Sequence, residues 1–230
     1  MRHRLPILAL SLALLAFGAG AQTIGGYPPV ATNASPGLVR NTHPGYIANN
    51  WYISQTFETS AGTPLTPGAN KIVCTFGILS YPVTLNSLGI TVTTTDSTKR
   101  FQLGIYSTGS WGRPANLLVS TGDITLSAST GPINGAVSAS LSDGPVWFCL
   151  NTESTVAVFT AVGFSANTIM SGFLGSASQA TVGSINNSAT GVTIAQTYGT
   201  WPASFNSGTG WTEVASSIAP WVTFKVASSP

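Results

Sequence analysis

The sequence predicts an all-β chain built as an antiparallel two-sheet β-sandwich, on three observations. Short runs alternate apolar and polar residues with a period of two, which gives a strand one buried face. The clearest is Phe101, Leu103 and Ile105 set against Gln102, Gly104 and Tyr106. Clusters of Gly, Pro, Asn, Asp and Ser separate these runs at short intervals. No long amphipathic helical pattern competes, and no fixed-period repeat points to a propeller or solenoid.

Taken in order, the strand signals begin at about residue 50 with Trp51 to Phe57. Thr63 to Asn70, rich in Pro and Gly, reads as a turn. Ile72, Cys74, Phe76 and Ile78 then alternate with Val73, Thr75, Gly77 and Leu79. Leu88, Ile90 and Val92 put one face inward, with Thr91 and Thr93 outward. Thr94 to Arg100 is a polar turn before the Phe101 strand. Ser107 to Pro114 is a loop carrying Trp111 and Arg113. Leu117, Val119, Ile124 and Leu126 resume strand patterning. A turn is expected at Ser129 to Gly135, then a strand through Val137, Ala139 and Leu141. Ser142 to Pro145 is a tight turn, followed by strands at Val146 to Leu150 and Val156 to Val162. Residues 163–187 are low-complexity, Gly191 to Tyr198 reads as a strand, and Trp201 to Gly210 is irregular. Val222, Phe224 and Val226 close the domain. That makes nine or ten strands, and their Thr, Val, Ile and aromatic content suits pleated surfaces. A jelly-roll-like sandwich with loops clustered at its ends satisfies the pattern.

Composition narrows the function classes. Apolar residues make up 43% of the 230 residues, ample for a core, but only 6% are charged. An ordinary soluble domain carries roughly 25%. Removing Arg2 and Arg4 from the basic total leaves six basic residues against six acidic ones. The surface must therefore be covered by Ser, Thr, Asn, Gln and Gly. It suits dense packing in an assembly or contact with neutral sugars, and not nucleic acid, which is held by Lys and Arg on phosphates.

Residues 1–21 have the three parts of a secretory leader: basic Arg2, His3 and Arg4, a 13-residue apolar run from Leu5 to Phe17, and a small-residue site at Ala19-Gly20-Ala21. The run is short for a bilayer span. A retained hydrophobic anchor that docks into a partner is the alternative. No other stretch could span a bilayer, so no membrane contact is expected once the leader is removed. Residues 22–49 read as an extended arm or a disordered tether, and residues 50–230 as the sandwich. Cys74 and Cys149 each sit inside a strand. In an oxidising compartment they could pair; buried thiols acting as small hydrophobes are the other reading.

A set of segments in fixed order carries a resemblance: Trp51-Tyr52, Ala69 to Ile72, Leu88 to Thr94, Phe101 to Tyr106, Gly112-Arg113-Pro114, Leu117 to Val119, Asp143 to Leu150 and Ala219 to Val226. Together they resemble the jelly-roll domain that recurs in bacteriophage virion and tail-fibre structural proteins. The resemblance spans about residues 50–226 and lies in order and spacing rather than in one motif. It implies a structural, surface-displayed and often oligomeric protein, sometimes in contact with host glycans, and supplies no catalytic residues. The export leader leaves two forms of this reading open, a secreted bacterial relative of the same fold and an unusual virion protein.

Chemistry-bearing residues are sparse. Outside the leader the only histidine is His43, in the arm, poorly placed as a base for a Ser nucleophile. Asp96, Asp123 and Asp143 are scattered turn acids, although loops at one end could gather two around calcium. Glu58, Glu153 and Glu213 complete the six acids from which a glycosidase pair would have to be drawn. No metal site or cofactor is expected. Sugar binding needs an aromatic face and planar polar groups. The candidates are Trp111, Arg113, Trp201, Tyr198, Trp211, Asp96 and Arg100, with Trp51 and Tyr52 as further aromatics. Trp111 leads, because Gly112 and Pro114 hold it in a loop. Trp147 and Trp221 lie in strands and read as sandwich packing. The expected function is a non-catalytic structural or attachment subunit of an extracellular or virion-surface assembly. Its expected partners are further copies of itself, other assembly subunits and surface carbohydrate. The alternatives are a secreted glycan-binding module or adhesin and, more remotely, a secreted hydrolase.

Overall fold

The computed structural model describes residues 45–54, 61–110, 112–127, 129–162, 189–205, 210–215 and 219–228. The chain divides into Met1–Pro36 and Gly37–Pro230, and every described residue falls in the second unit. Thirteen strands occur among them: β1 (Trp51–Ile53), β2 (Ala61–Leu65), β3 (Lys71–Leu79), β4 (Val83–Thr94), β5 (Arg100–Thr108), β6 (Pro114–Ser120), β7 (Ile124–Thr125), β8 (Gly131–Leu141), β9 (Gly144–Thr152), β10 (Val158–Val162), β11 (Ala189–Ala195), β12 (Thr212–Ala215) and β13 (Thr223–Ser228).

They form two antiparallel sheets. The first runs β1-β13-β4-β10-β2, with β8 on the other edge of β4; the second runs β12-β11-β3-β9-β5-β6, with β7 also on β5. Successive long strands alternate between sheets, β3 in the second, β4 in the first, β5 in the second, β8 in the first and β9 in the second. This is the winding of a jelly-roll-like sandwich.

Period-two patterning places the core between the sheets. Leu85, Leu88, Ile90 and Val92 of β4 meet Phe101, Leu103 and Ile105 of β5 and Val146, Phe148 and Leu150 of β9. Phe224 stacks on Phe148 at 5.7 Å, and Phe101 meets Phe159 edge-on at 5.4 Å. Residues at the end of the expected arm lie against this core. Tyr46 is buried beside Tyr52 and Phe224, and its hydroxyl accepts a hydrogen bond from the Ser80 N–H at 3.1 Å.

Two expected turns begin as strands. Thr63 to Leu65 belongs to β2, where Pro64 pairs with Thr160. Pro132 to Gly135 belongs to β8, where Pro132 pairs with Thr91. Each strand bonds to one neighbour only, and an edge strand tolerates a residue that cannot donate to the ladder. Strand β12 carries no sequence signal of its own, being four residues long.

The second sheet is buried on both faces. The side of β3, β9 and β5 turned away from the first sheet carries Ile72, Cys74, Phe76, Trp147, Cys149 and Tyr106, all buried. Trp147 is therefore packing, as its strand position implies, but it sits on this outer face against Phe76 rather than between the sheets. Cys74 and Cys149 stand directly opposite in the β3–β9 register, 4.0 Å apart at Cα, and their sulfurs are bonded across 75 residues of sequence. Replacing both cysteines with alanine is expected to cost about 2–5 kcal/mol, read as a lower urea midpoint; an unchanged midpoint would show that the bond contributes nothing.

Candidate functional site

The segment after β11 turns back over the outer face of the second sheet. Asn70 starts it: its own backbone is left-handed (φ 56°), its carbonyl accepts the Gln196 N–H, and its side-chain Oδ1 accepts the Tyr198 N–H, both at 3.0 Å. Trp201 then settles on β5. A Cβ on Gly104 would stand 3.0 Å from the Trp201 ring, so glycine lets the indole sit here without shifting. The Tyr106 hydroxyl donates to the Pro202 carbonyl at 2.8 Å. Leu117 N–H donates to Ala203 and Phe205 N–H to Ala115, tying the segment to the free edge of β6. Phe205 packs against Tyr106 and, at 4.7 Å, against Trp211.

At one end of this cover a polar cluster joins side chains far apart in sequence. The Trp201 indole N–H donates to Gln102 Oε1 at 2.7 Å, and Gln102 Nε2 donates to Asp123 Oδ1 at 2.8 Å. The Tyr198 hydroxyl donates to the same oxygen at 2.8 Å. Arg100 donates through Nη1 to Asp123 Oδ2 at 2.5 Å and through Nε to Glu153 Oε1 at 3.1 Å, and its guanidinium lies 5.5 Å from the Tyr198 ring centroid. The hydrogen bond that Arg100 donates to Glu153 holds the Glu153 carboxyl below the usual carboxylate range and raises the Arg100 guanidinium. Desolvation, then the bond to Asp123, pushes the Tyr198 phenol up; burial does the same to Tyr106. A general acid needs a raised carboxyl, and Glu153 moves the other way.

Of the sequence-predicted residues, Arg100, Tyr198 and Trp201 come together here. Trp211 packs against Phe205, and Arg113 Nη2 meets Glu213 Oε1 at 2.9 Å. Asp96 is apart from both. It accepts from Ser154 Oγ at 2.8 Å while that same oxygen accepts the Val156 and Ala157 N–H groups, so Asp96 fastens the turn before β10. Trp111 lies outside the described residues. Gln102, the hub linking Trp201 to Asp123, was not singled out; its signal is a polar residue at an outward position of an otherwise apolar strand. Almost every member of the cluster is bonded to another member, which makes it a fastening for the cover.

The outer face of the first sheet is different. Trp51 and Ile53 of β1 point away from the core and are 43% and 39% exposed. Trp51 pairs in register with Lys225, Lys225 with Ser87, and Ser87 with Ala136. The adjoining row is Ile53, Thr223, Gly89 and Asn134. Trp51 Cζ3 lies 3.2 Å from where a Cβ on Gly89 would stand, so the indole occupies the space that glycine leaves. Thr84 and Ser140 join across β4 and β8 at 3.0 Å, and Thr91, Thr93 and Ser138 extend the hydroxyl cover.

No protein-family model and no curated protein matches the chain.

The Arg100–Glu153 pair makes a signed prediction. Because the folded carboxyl is held low, its contribution is present above the ordinary Glu range and is lost as pH falls through the lower folded value. Both partners reach solvent, which screens the pair, so Glu153→Gln is expected to lower the melting temperature only slightly near neutral pH. In paired thermal melts that difference should disappear in acid; a difference that grows on acidification would contradict the assignment.

Proposed function

We propose that the protein is a non-catalytic structural or attachment subunit of an extracellular or virion-surface assembly, working through its faces rather than through a reactive cleft. The observation that carries this reading is the contrast between the two outer faces. On the second sheet, Arg100, Gln102, Asp123, Glu153, Tyr198 and Trp201 bond to one another, which suits holding a cover and not turning over a substrate. On the first sheet, Trp51 is exposed, and Thr93, Ser138 and Ser140 are exposed beside half-buried Thr84, Thr91 and Thr223. A surface this poor in charge packs against a neighbour at little desolvation cost. The resemblance to phage virion and tail-fibre jelly rolls, and the leader-like residues 1–21, support an exported, surface-displayed role. A second reading, a secreted glycan-binding module or adhesin, draws on Trp51, whose open aromatic surface suits the C–H face of a sugar.

The test is the mass of the exported protein in solution. Mass photometry and sizing chromatography should give a discrete oligomer that persists on dilution. A monomer at every concentration would overturn the assembly reading in favour of the binding module.

A further inference from the structure

The open face of the first sheet carries a specific charge pattern. Its outward positions among the described residues include Trp51 and Ile53 of β1, Pro64 of β2, Thr223, Lys225 and Ser228 of β13, Thr84, Ser87, Gly89, Thr91 and Thr93 of β4, Pro132, Asn134, Ala136, Ser138 and Ser140 of β8, and Val158 and Thr160 of β10. No carboxylate is among them. The acids described, Asp96, Asp123, Asp143, Glu153 and Glu213, lie in turns or on the second sheet. Among the described residues Lys225 is thus the one cation on this face, and it stands directly across from the exposed indole.

Three groups make this a shaped patch rather than bare surface. Gly89 leaves the space that the Trp51 indole enters, so the ring rests low on the sheet while 43% of the residue stays open. Ser87 Oγ lies 3.0 Å from the Gly135 carbonyl and 3.3 Å from Asn134 Oδ1, which places the Asn134 amide at the far side of the row. Thr223 sits between them, with Oγ1 2.9 Å from the vacant Cβ position of Gly89. From Trp51 to Asn134 the patch crosses four strands, roughly 14 Å, about the length of a trisaccharide.

We propose that this face binds a saccharide whose rings carry carboxylates. The C–H face of one pyranose ring covers the Trp51 indole, its carboxylate meets the Lys225 ammonium, and hydroxyls along the chain are held by Thr223 and Asn134. An aromatic surface takes the apolar side of the sugar, the lone cation selects the acid over a neutral sugar, and the absence of a described carboxylate removes the repulsion an anionic ligand would otherwise meet. This rests on the contact-protein reading above and names the ligand class for its attachment surface.

The experiment is calorimetric titration of the full chain with galacturonate trisaccharide and, in parallel, with its methyl-esterified, uncharged counterpart. The acid should bind saturably in about the millimolar range and the ester more weakly. Trp51→Ala should abolish binding of both. Lys225→Gln, which removes the charge at a half-buried outward position of β13, should weaken the acid about tenfold and leave the ester unchanged. Equal binding of acid and ester, or wild-type binding by Trp51→Ala, would overturn the proposal. So would an absence of saturation, and dissociation of the oligomer by Trp51→Ala without any saccharide binding would instead make the face a subunit contact. Saccharide failure with the oligomer intact leaves the assembly reading standing; acid binding by a lasting monomer overturns that reading and leaves this one.

Discussion

Strands β3, β9 and β5 carry apolar side chains on both faces, and this constraint shapes the rest of the second sheet. One face is covered by the first sheet. The other presents Ile72, Phe76, Trp147, Tyr106 and the cystine, which would leave a broad apolar surface in water if nothing lay over it. The chain covers it with the segment following β11, and that segment needs anchors because, among the described residues, it pairs with a strand only at the Asn116–Ser204 bridge to β6. Gly104 supplies the seat for Trp201, Tyr106 a hydrogen bond to its backbone, the β6 edge two more, and the Arg100–Asp123–Gln102 cluster the lateral hold. The disulfide lies in the same layer, locking the pair of strands that the cover rests on.

The two outer faces therefore divide the work. The side chains of the Arg100 cluster on the second sheet bond to one another, and their shifts follow from that: Glu153 is held down by Arg100, and Tyr198 is raised by burial and then by Asp123. The first sheet needs no such cover, since its outward positions are mostly hydroxyls, amides and small residues that water already satisfies. The one large aromatic at an outward position of this sheet among the described residues, Trp51, is tolerated at the edge because Gly89 lets it lie low. A face with little charge and one exposed indole favours contact over conversion, and it carries the functional proposal.

Much of the sandwich was legible because alternation is a direct record of which side of a strand is dry. Leu88, Ile90 and Val92, Phe101, Leu103 and Ile105, and Val222, Phe224 and Val226 all face the core as the pattern requires. Alternation is silent where both faces are buried. Ile72, Cys74 and Phe76 look core-facing in sequence, and they are buried, but under the cover instead of the opposing sheet. Prolines mislead at sheet edges, where Pro64 and Pro132 sit in strands and not turns. The candidate site was legible only as residue types. Arg100, Tyr198 and Trp201 were singled out as polar and aromatic groups, but their meeting depends on Asp123 and Gln102, and the Arg100–Glu153 contact spans 53 positions that no local pattern encodes.

Native-state hydrogen exchange tests the central claim most directly. If the cover seals the outer face, amides of β3, β5 and β9 should exchange last and only through global unfolding, with β1 and β2 opening earlier. Amides of β3 and β9 exchanging by local opening as readily as those of β1 would show that the second sheet is not dry on both sides.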